Sequence, residues 1–96
     1  MKYEISEEVL TRLKEIYAYN FTHYHKERAE KILNSIDEVF EKAANNPNFY
    51  PPYLNNTYPN RNLRRAIIHK TYVLIFEVLE SHVHILSLYH GAMDMD

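Results

Sequence analysis

The 96-residue chain contains no cysteine and only one glycine. Without cysteine it can form no disulfide framework, no thiolate metal site and no cysteine nucleophile, which fits a reducing compartment. The single glycine, Gly91, excludes a glycine-rich phosphate loop. No run approaches the roughly 18 apolar residues of a membrane span, and the first residues lack the apolar stretch of a signal peptide. These absences predict a cytoplasmic protein without a membrane segment.

Acidic residues are missing from a long central part of the chain. The net charge is -2, yet every charged residue between Glu41 and Glu77 is basic. These basic residues are Lys42, Arg61, Arg64, Arg65 and Lys70. A local positive field of this kind suits an anionic partner such as a nucleic acid. Two alternatives stay open, since the arginines could pair with helical acids or with a partner chain. The helical acids in question are Glu15, Glu30 and Asp37.

The first half of the sequence predicts one short strand and two helices. Residues Lys2 to Ser6 alternate between polar and apolar side chains, which is the two-residue period of a strand. Ser6 is placed to cap a following helix. Two apolar stripes at helical spacing follow, but they are out of register by roughly 80° at 100° per residue. We therefore expect a helix pair, with a break between Asn20 and Tyr24 and a second helix over residues 25–45.

All four prolines lie between Asn46 and Asn62, so this segment is predicted to be a loop. It is also rich in aromatic residues, namely Phe49, Tyr50, Tyr53 and Tyr58. Their rings could form a stacking platform for bases or a docking surface for a protein. Alternatively, they cover the helix pair or the sheet.

Three apolar, strand-like runs complete the chain, from Arg64 to His69, from Tyr72 to Leu79 and from Val83 to Tyr89. The short connections between them predict antiparallel hairpins. The middle run is apolar on both faces and should lie in the centre of the sheet. The sequence thus predicts a single α+β domain over residues 1–96. Its elements follow the order β-α-α-β-β-β, forming an antiparallel sheet with a helix hairpin packed on one face, and the first strand joins one of the later three.

Histidine and arginine in the last third could support metal-independent catalysis on RNA. Such a site needs a base, an acid and a cation for the phosphate, and these residue types provide them at neutral pH. The catalytic candidates are His90, His69 and Arg65. The candidates for contact with a target or an antitoxin are Arg61, Arg64, Arg65, Lys70 and Tyr89. Adjacent arginines point to opposite faces of a strand, so at most one of that pair would enter a shared site.

No metal site or other cofactor is predicted. His82 and His84 are spaced as two zinc ligands on one strand face, but the sequence places no third ligand beside them. No small-molecule ligand is predicted either.

The run from Arg64 to Asp94 resembles the RelE/ParE superfamily of toxins from bacterial type II toxin-antitoxin modules. The resemblance rests on an arginine-bearing strand, on the hydrophobic strand Tyr72-Val73-Leu74-Ile75-Phe76, and on the ending His90-Gly91-Ala92-Met93-Asp94. The order of elements is similar over nearly the whole chain. This resemblance implies a cytoplasmic growth inhibitor that a small cognate antitoxin neutralises.

Within that superfamily the chain is more similar to the ParE-type members, which resemble gyrase inhibitors, than to RelE-type ribosome-dependent mRNA endonucleases. The nucleases tend to be strongly basic, whereas this chain has a pI of about 6.3. Several nucleases also carry a catalytic tyrosine just after the terminal histidine, where this chain has Gly91. Arg65 and His90 stand at matching positions and favour the nuclease alternative.

Three hypotheses follow from the resemblance. The first is a ParE-like toxin of the plasmid stabilisation type that binds a protein target such as DNA gyrase. The second is a ribosome-dependent mRNA endonuclease that uses His90 and Arg65. The third is a protein of the same fold that retains antitoxin binding without toxicity. We also expect an exposed apolar surface on the helix pair or the sheet that the antitoxin covers.

Overall fold

A computed structural model describes residues 2–54 and 59–91 of the chain. Two helices and four strands follow in the predicted order. The strands are β1 (Lys2–Ile5), β2 (Leu63–Ile68), β3 (Tyr72–Val78) and β4 (His82–His90), and the helices are α1 (Glu7–His23) and α2 (Lys26–Asn45). A short 3-10 turn, Pro47–Phe49, follows α2. The predicted α+β fold class is confirmed.

Local capping sets where the two helices begin. The Ser6 side chain accepts a hydrogen bond from the backbone of Val9 at 3.2 Å, as the sequence predicts. The second helix begins after His25, whose Nδ1 accepts from the backbone N–H of Arg28 at 3.1 Å. Between the helices lie only Tyr24 and His25, at the late edge of the predicted break.

The sheet has the order β1-β4-β3-β2, which places β3 inside it as predicted. The three later strands form the expected antiparallel meander. The prediction of a wholly antiparallel sheet is wrong for β1, which runs parallel to β4.

The path of the helix hairpin explains the parallel pair. The first helix leads along the sheet toward the end of β4, where Arg12 donates to the carbonyl of Leu88 at 3.1 Å. The second helix returns to the start of β2, near Tyr50 and Arg64. Because the hairpin returns the chain to that end, β2 runs in the direction of β1. The two hairpins that follow reverse the chain twice, so β4 runs in the same direction as β1 and β2. A parallel pair of β1 and β4 is possible because a long stretch of chain separates these two strands.

The core lies between the helix pair and one face of the sheet. Its fully buried members include Phe40 and Ile36 from α2 and Leu74 and Phe76 from β3. The ring of Tyr3 packs edge-on against Phe40 at a centroid distance of 5.7 Å. Burying these large side chains is the main source of stability in a domain of this size.

The proline-rich segment packs along the edge of the sheet. Pro52 bridges to Arg64 in antiparallel fashion, and the backbone N–H of Tyr53 donates to the carbonyl of Leu63 at 2.8 Å. The ring of Tyr50 meets Phe76 edge-on at 5.7 Å. Tyr50 thus covers the core, whereas Phe49 is exposed beneath the Lys42 ammonium at 3.7 Å. The prediction for Tyr58 falls outside the described residues.

Candidate functional site

Arg64 and Arg65 lie on opposite faces of β2, as strand alternation predicts. Arg64 pairs in register with Phe76 and shares its helix-facing side. The Arg64 Nη1 donates to the carbonyl of Tyr50 at 2.6 Å, and its buried Nε has no acceptor among the residues described. Arg65 pairs with Ile75, which lies outside the core cluster, and its side chain is exposed. The outer face of the sheet therefore carries Arg65.

Arg61 forms a two-pronged ion pair with Glu77 before β2 begins. Its Nε donates to Oε2 at 2.9 Å and its Nη2 donates to Oε1 at 2.6 Å. These hydrogen bonds, aided by the charges of Arg61 and His84, hold the pKa of Glu77 below its ordinary value although burial opposes the shift. Two of the three helical acids named above are engaged elsewhere, since Glu15 pairs with Arg12 and Glu30 with Lys26.

His69 and Lys70 form the tight turn between β2 and β3. Both have left-handed backbone angles, with φ of 54° and 57°, although neither is glycine. The turn is closed by a hydrogen bond from the backbone N–H of Thr71 to the carbonyl of Ile68 at 3.0 Å. Positive φ at both central positions of the turn from Ile68 to Thr71 is typical of type I′ hairpin turns, and non-glycine residues adopt it under strain.

His90 ends β4 beside this turn. Its ring meets the ring of Tyr72 edge-on at a centroid distance of 5.9 Å. The next residue, Gly91, donates its backbone N–H to the carbonyl of Thr71 at 2.6 Å, and an added Cβ would lie 3.1 Å from that oxygen. Tyr89 pairs with Val73 and points to the other face of the sheet.

A cleft of about 960 Å³ opens where the helix junction meets the β2–β3 turn and the end of β4. Its polar lining includes Arg12, Asn20, Arg28, Lys31, His69 and His90. Its rings belong to Tyr19, Tyr24 and Tyr72. The cleft therefore brings together two of the three predicted catalytic residues. The third, Arg65, lies on the opposite face of the sheet.

The contact candidates are distributed around the sheet rather than gathered at the cleft. None of Arg61, Arg64, Lys70 and Tyr89 lines it. Arg64 contacts the loop on the helix side, while Lys70 is exposed at the tip of the turn.

Three cationic residues of the cleft were missed by sequence reasoning: Arg12, Arg28 and Lys31. They come from the first half of the chain, where basic and acidic residues nearly balance, so no run of charge marks them. The one available signal is the short spacing between Arg28 and Lys31, which places them one turn apart on α2.

Asn20 fixes the helix junction beneath the cleft. It is 2% exposed, and its Nδ2 donates to the carbonyl of Ile16 at 2.8 Å. Its Oδ1 accepts from the Nε of Arg28 at 3.4 Å, and the Arg28 guanidinium lies over the ring of Tyr24 at 4.0 Å. These contacts hold one cation of the cleft in a defined position.

The described residues form neither a metal site nor a membrane-spanning helix. Within residues 2–54 and 59–91, no group of three or more metal-binding side chains is close enough to hold an ion. His82 instead contacts Ser81 at 3.1 Å and Glu4 at 3.7 Å. In the same part of the chain neither helix has the length and apolar character that a membrane crossing requires.

Comparison with known proteins identifies the family. Residues 3–95 match the family model described as the ParE toxin of the type II toxin-antitoxin system, parDE. The chain belongs to the ParE toxin family. The resemblance to the RelE/ParE superfamily predicted from the sequence is thereby confirmed.

A solved structure shares the ParE-like fold. A chain of the chromosomal ParDE TA system from P. aeruginosa matches with a TM-score of 0.76 and 18% sequence identity. The match covers 94% of this chain and 95% of that chain. At this identity the likeness concerns the fold. A search of curated proteins found no match.

Proposed function

We propose that this chain is a ParE-type toxin that stops growth by binding a protein target such as DNA gyrase, and that a cognate antitoxin neutralises it. The observation that carries the proposal is the family match over residues 3–95. The match to a ParDE TA structure supports an antitoxin partner.

The position of Arg65 favours binding over RNA cleavage. A phosphate held by Arg65 on the outer face would be separated by the sheet from His90, which lines the cleft on the helix side. A general acid or base must come within hydrogen-bond reach of the reacting group, directly or through one water. Gly91, moreover, has no side chain to take the part of the tyrosine found in several nucleases. A surface that binds a protein needs no such convergence.

Arg65 and Lys70 are the target contacts that we propose. Both side chains are exposed, and Ile67, 60% exposed, lies between them on β2. Arginine is enriched at protein-binding surfaces, and the exposed side chain of Ile67 beside it adds apolar area that a partner can bury. Arg64 is left out of this surface because its guanidinium binds the carbonyl of Tyr50.

The antitoxin contact that we propose is a stripe on α1 formed by Leu10, Tyr17 and Phe21. Leu10 is 45% exposed and Phe21 is 51% exposed. The rings of Tyr17 and Phe21 stack at a centroid distance of 6.0 Å. Spacings of seven and four place all three on one helix face. A partner helix or extended segment would cover this stripe, and the chain alone should self-associate or express poorly.

Induced expression without antitoxin tests the proposed toxicity. We expect growth arrest with double-strand-break signalling and intact mRNA, and we expect Arg65→Ala to relieve the arrest. Lys26→Ala removes one positive charge from α2 and serves as the matched control that leaves the arrest unchanged. Normal growth in the absence of antitoxin would contradict toxicity and favour a family member that only binds antitoxin.

One observation favours the endonuclease as a second candidate: His69 and His90 line the same cleft as Arg12 and Arg28. Two histidines and a cation are the groups that a metal-independent RNase uses. Cleavage of transcripts during induced expression, abolished by His90→Ala, would select this candidate and rule out a purely gyrase-directed toxin.

Antitoxin binding is tested by measuring the affinity of the Phe21→Ser variant. Covering the exposed half of a phenylalanine removes roughly 100 Å² from water, which contributes about 2 kcal/mol, or about 30-fold in Kd. Ile67→Ser is the matched control, because Ile67 is similarly exposed but lies on the sheet. An equal loss of affinity in both variants, or none in Phe21→Ser, would place the antitoxin elsewhere.

A further inference from the structure

The cleft carries positive charge on a chain whose net charge is -2. Among the described residues, Arg12, Arg28 and Lys31 line it, and Glu15 is the one acidic residue of the lining. The cleft therefore has a local excess of two positive charges before either histidine is counted. A concave surface lined by one sign of charge concentrates ligands of the opposite sign.

Two cations of the cleft, Arg28 and Lys31, retain free hydrogen-bond donors, whereas Arg12 binds the carbonyl of Leu88 and the carboxylate of Glu15. Arg28 uses its Nε for Asn20 and one face for the ring of Tyr24. In the described part of the chain, no acceptor engages the terminal nitrogens of Arg28 or the ammonium of Lys31. A guanidinium held at its Nε still offers donors that match the geometry of a phosphate.

Aromatic rings flank the same cations. Tyr19 is 54% exposed and Tyr24 is 52% exposed at the edge of the cleft. His23 stacks on one face of Tyr19 at a centroid distance of 4.1 Å, and Arg28 covers one face of Tyr24 at 4.0 Å, so a base would stack on the opposite face of either ring. Stacking on such rings suits any nucleobase, because every base has a π-face. The volume of about 960 Å³ lies within the usual range for small-molecule sites.

The strained turn adds a third element. His69 reaches the cleft from a left-handed backbone position. Strain of this kind persists where the surrounding structure holds it, and it clusters at ligand sites. Here the turn is fixed by the bonds from Thr71 to Ile68 and from Gly91 to Thr71, at 3.0 and 2.6 Å.

We propose that this cleft binds a nucleoside phosphate, with the phosphate on Arg28 and Lys31 and the base against Tyr19 or Tyr24. A phosphate matches the charge and the free donors, and the base matches the exposed rings. The proposal goes beyond the proposed function, since it requires neither toxicity nor a particular target.

Calorimetric titration of the 96-residue chain tests the ligand class. The probes are AMP, adenosine, inorganic phosphate and a short single-stranded oligoribonucleotide. We expect AMP to bind saturably, and at least about tenfold more tightly than adenosine or phosphate. If the oligonucleotide binds more tightly than AMP, the ligand of the cleft is part of a nucleic acid. If AMP binds more tightly, the ligand is a free nucleotide. Either result supports the shared chemistry.

Two variants and a matched control locate the site. Lys31→Gln and Arg28→Gln should each weaken AMP binding by about tenfold. Lys26→Gln makes the same charge change on the same helix, but Lys26 pairs with Glu30 at 3.8 Å and lies outside the cleft, so affinity should be unchanged. Lys31 makes no side-chain ion pair in the described residues, so its substitution keeps the fold even if Arg28→Gln destabilises it.

Three results would overturn the proposal. They are no saturable AMP binding at millimolar concentration, phosphate binding as tight as AMP binding, and equal loss of AMP affinity in the Lys26 and Lys31 variants. The first would exclude a site, the second would exclude base recognition, and the third would reduce binding to a general charge effect. Growth inhibition is not a readout, so failure here is distinguishable from failure of the proposed toxicity.

Discussion

Asn20 and Arg28 connect the two helices beneath the cleft, and their interaction is measurable by a double-mutant cycle. The Oδ1 of Asn20 accepts from the Nε of Arg28 at 3.4 Å, while its Nδ2 donates to the carbonyl of Ile16 at 2.8 Å. Replacing each residue with alanine, and then both, isolates the contact between them. We expect a coupling energy of about 1 kcal/mol.

The geometry sets this magnitude. A hydrogen bond to a charged group contributes about 1.5–3 kcal/mol, but the bond between Asn20 and Arg28 is longer than the usual 2.7–3.2 Å, which moves the expectation below that range. Arg28→Ala also loses the contact with Tyr24, which contributes about 0.5–1 kcal/mol at an exposed site. Against a total stability of roughly 5–15 kcal/mol, all variants stay folded.

Urea unfolding of the wild type, the two single variants and the double variant provides the assay. The double variant should lose about 1 kcal/mol less than the two single losses together. Asn20→Ala combined with Lys26→Ala is the control, and that pair should be additive within about 0.5 kcal/mol because Lys26 pairs with Glu30 instead. Additivity of the Asn20 and Arg28 losses would refute the proposed contact.

Three further predictions concern stability. Phe40→Ala should lower the free energy of unfolding by about 3–5 kcal/mol because Phe40 is fully buried, whereas Phe21→Ala should lower it by under about 1 kcal/mol. Thermal unfolding of both variants compares the same substitution at a buried and at an exposed position. Ser6→Ala should lower the free energy of unfolding in urea by about 1–2 kcal/mol, because the cap to Val9 and the hydroxyl's hydrogen bond to the carbonyl of Leu86 are both lost, and Ser6→Thr, which keeps a hydroxyl, should restore most of it. The pKa of Glu77 is lower in the folded chain, so its pairing with Arg61 stabilises the fold above pH 4.5 and is lost on acidification through the folded-state pKa. The stability difference between wild type and Glu77→Gln, about 0.5–1 kcal/mol near neutral pH, should vanish below that pKa, and a difference that persists there would contradict the assignment.

Local patterns account for most of the fold. The two-residue period of β1 and the capping serine before α1 correspond directly to elements of the structure, because each depends on neighbouring residues alone. The direction of β1 relative to β4 depends on where the helix hairpin returns the chain, and no sequence period records that path. This is why an antiparallel first strand was a reasonable but wrong prediction.

The candidate site could be predicted only in part, for a related reason. Strand alternation indicates that Arg64 and Arg65 separate, yet it does not say which of them faces the helices. Packing decides this, since Arg64 pairs with the core residue Phe76. The cleft could not be predicted because its cations come from two helices, whose meeting place depends on the junction around Asn20.

The sheet lies between Arg65 and the cleft, and this separation leads to a final prediction. Arg65 lies on the outer face, whereas Lys31 lines the cleft on the helix side. A protein on the outer face and a nucleoside phosphate in the cleft would therefore contact different residues, and their binding should be independent. We expect Arg65→Ala to relieve growth arrest while leaving AMP affinity unchanged. We expect Lys31→Gln to weaken AMP binding while leaving growth arrest unchanged.

The combined assay separates two ways in which a toxin of this fold could use the cleft. If Lys31→Gln weakens AMP binding and also relieves growth arrest, the ligand and the target are coupled, and the turn at His69 that joins the cleft to β2 is the element through which they would interact. The ratio of the AMP affinities measured with and without the protein target would then give that coupling. Thermodynamic linkage requires each ligand to change the affinity of the other by the same factor. If each variant changes only its own readout, the two surfaces bind independently. Arg65 on the outer face and Lys31 in the cleft then serve two different partners.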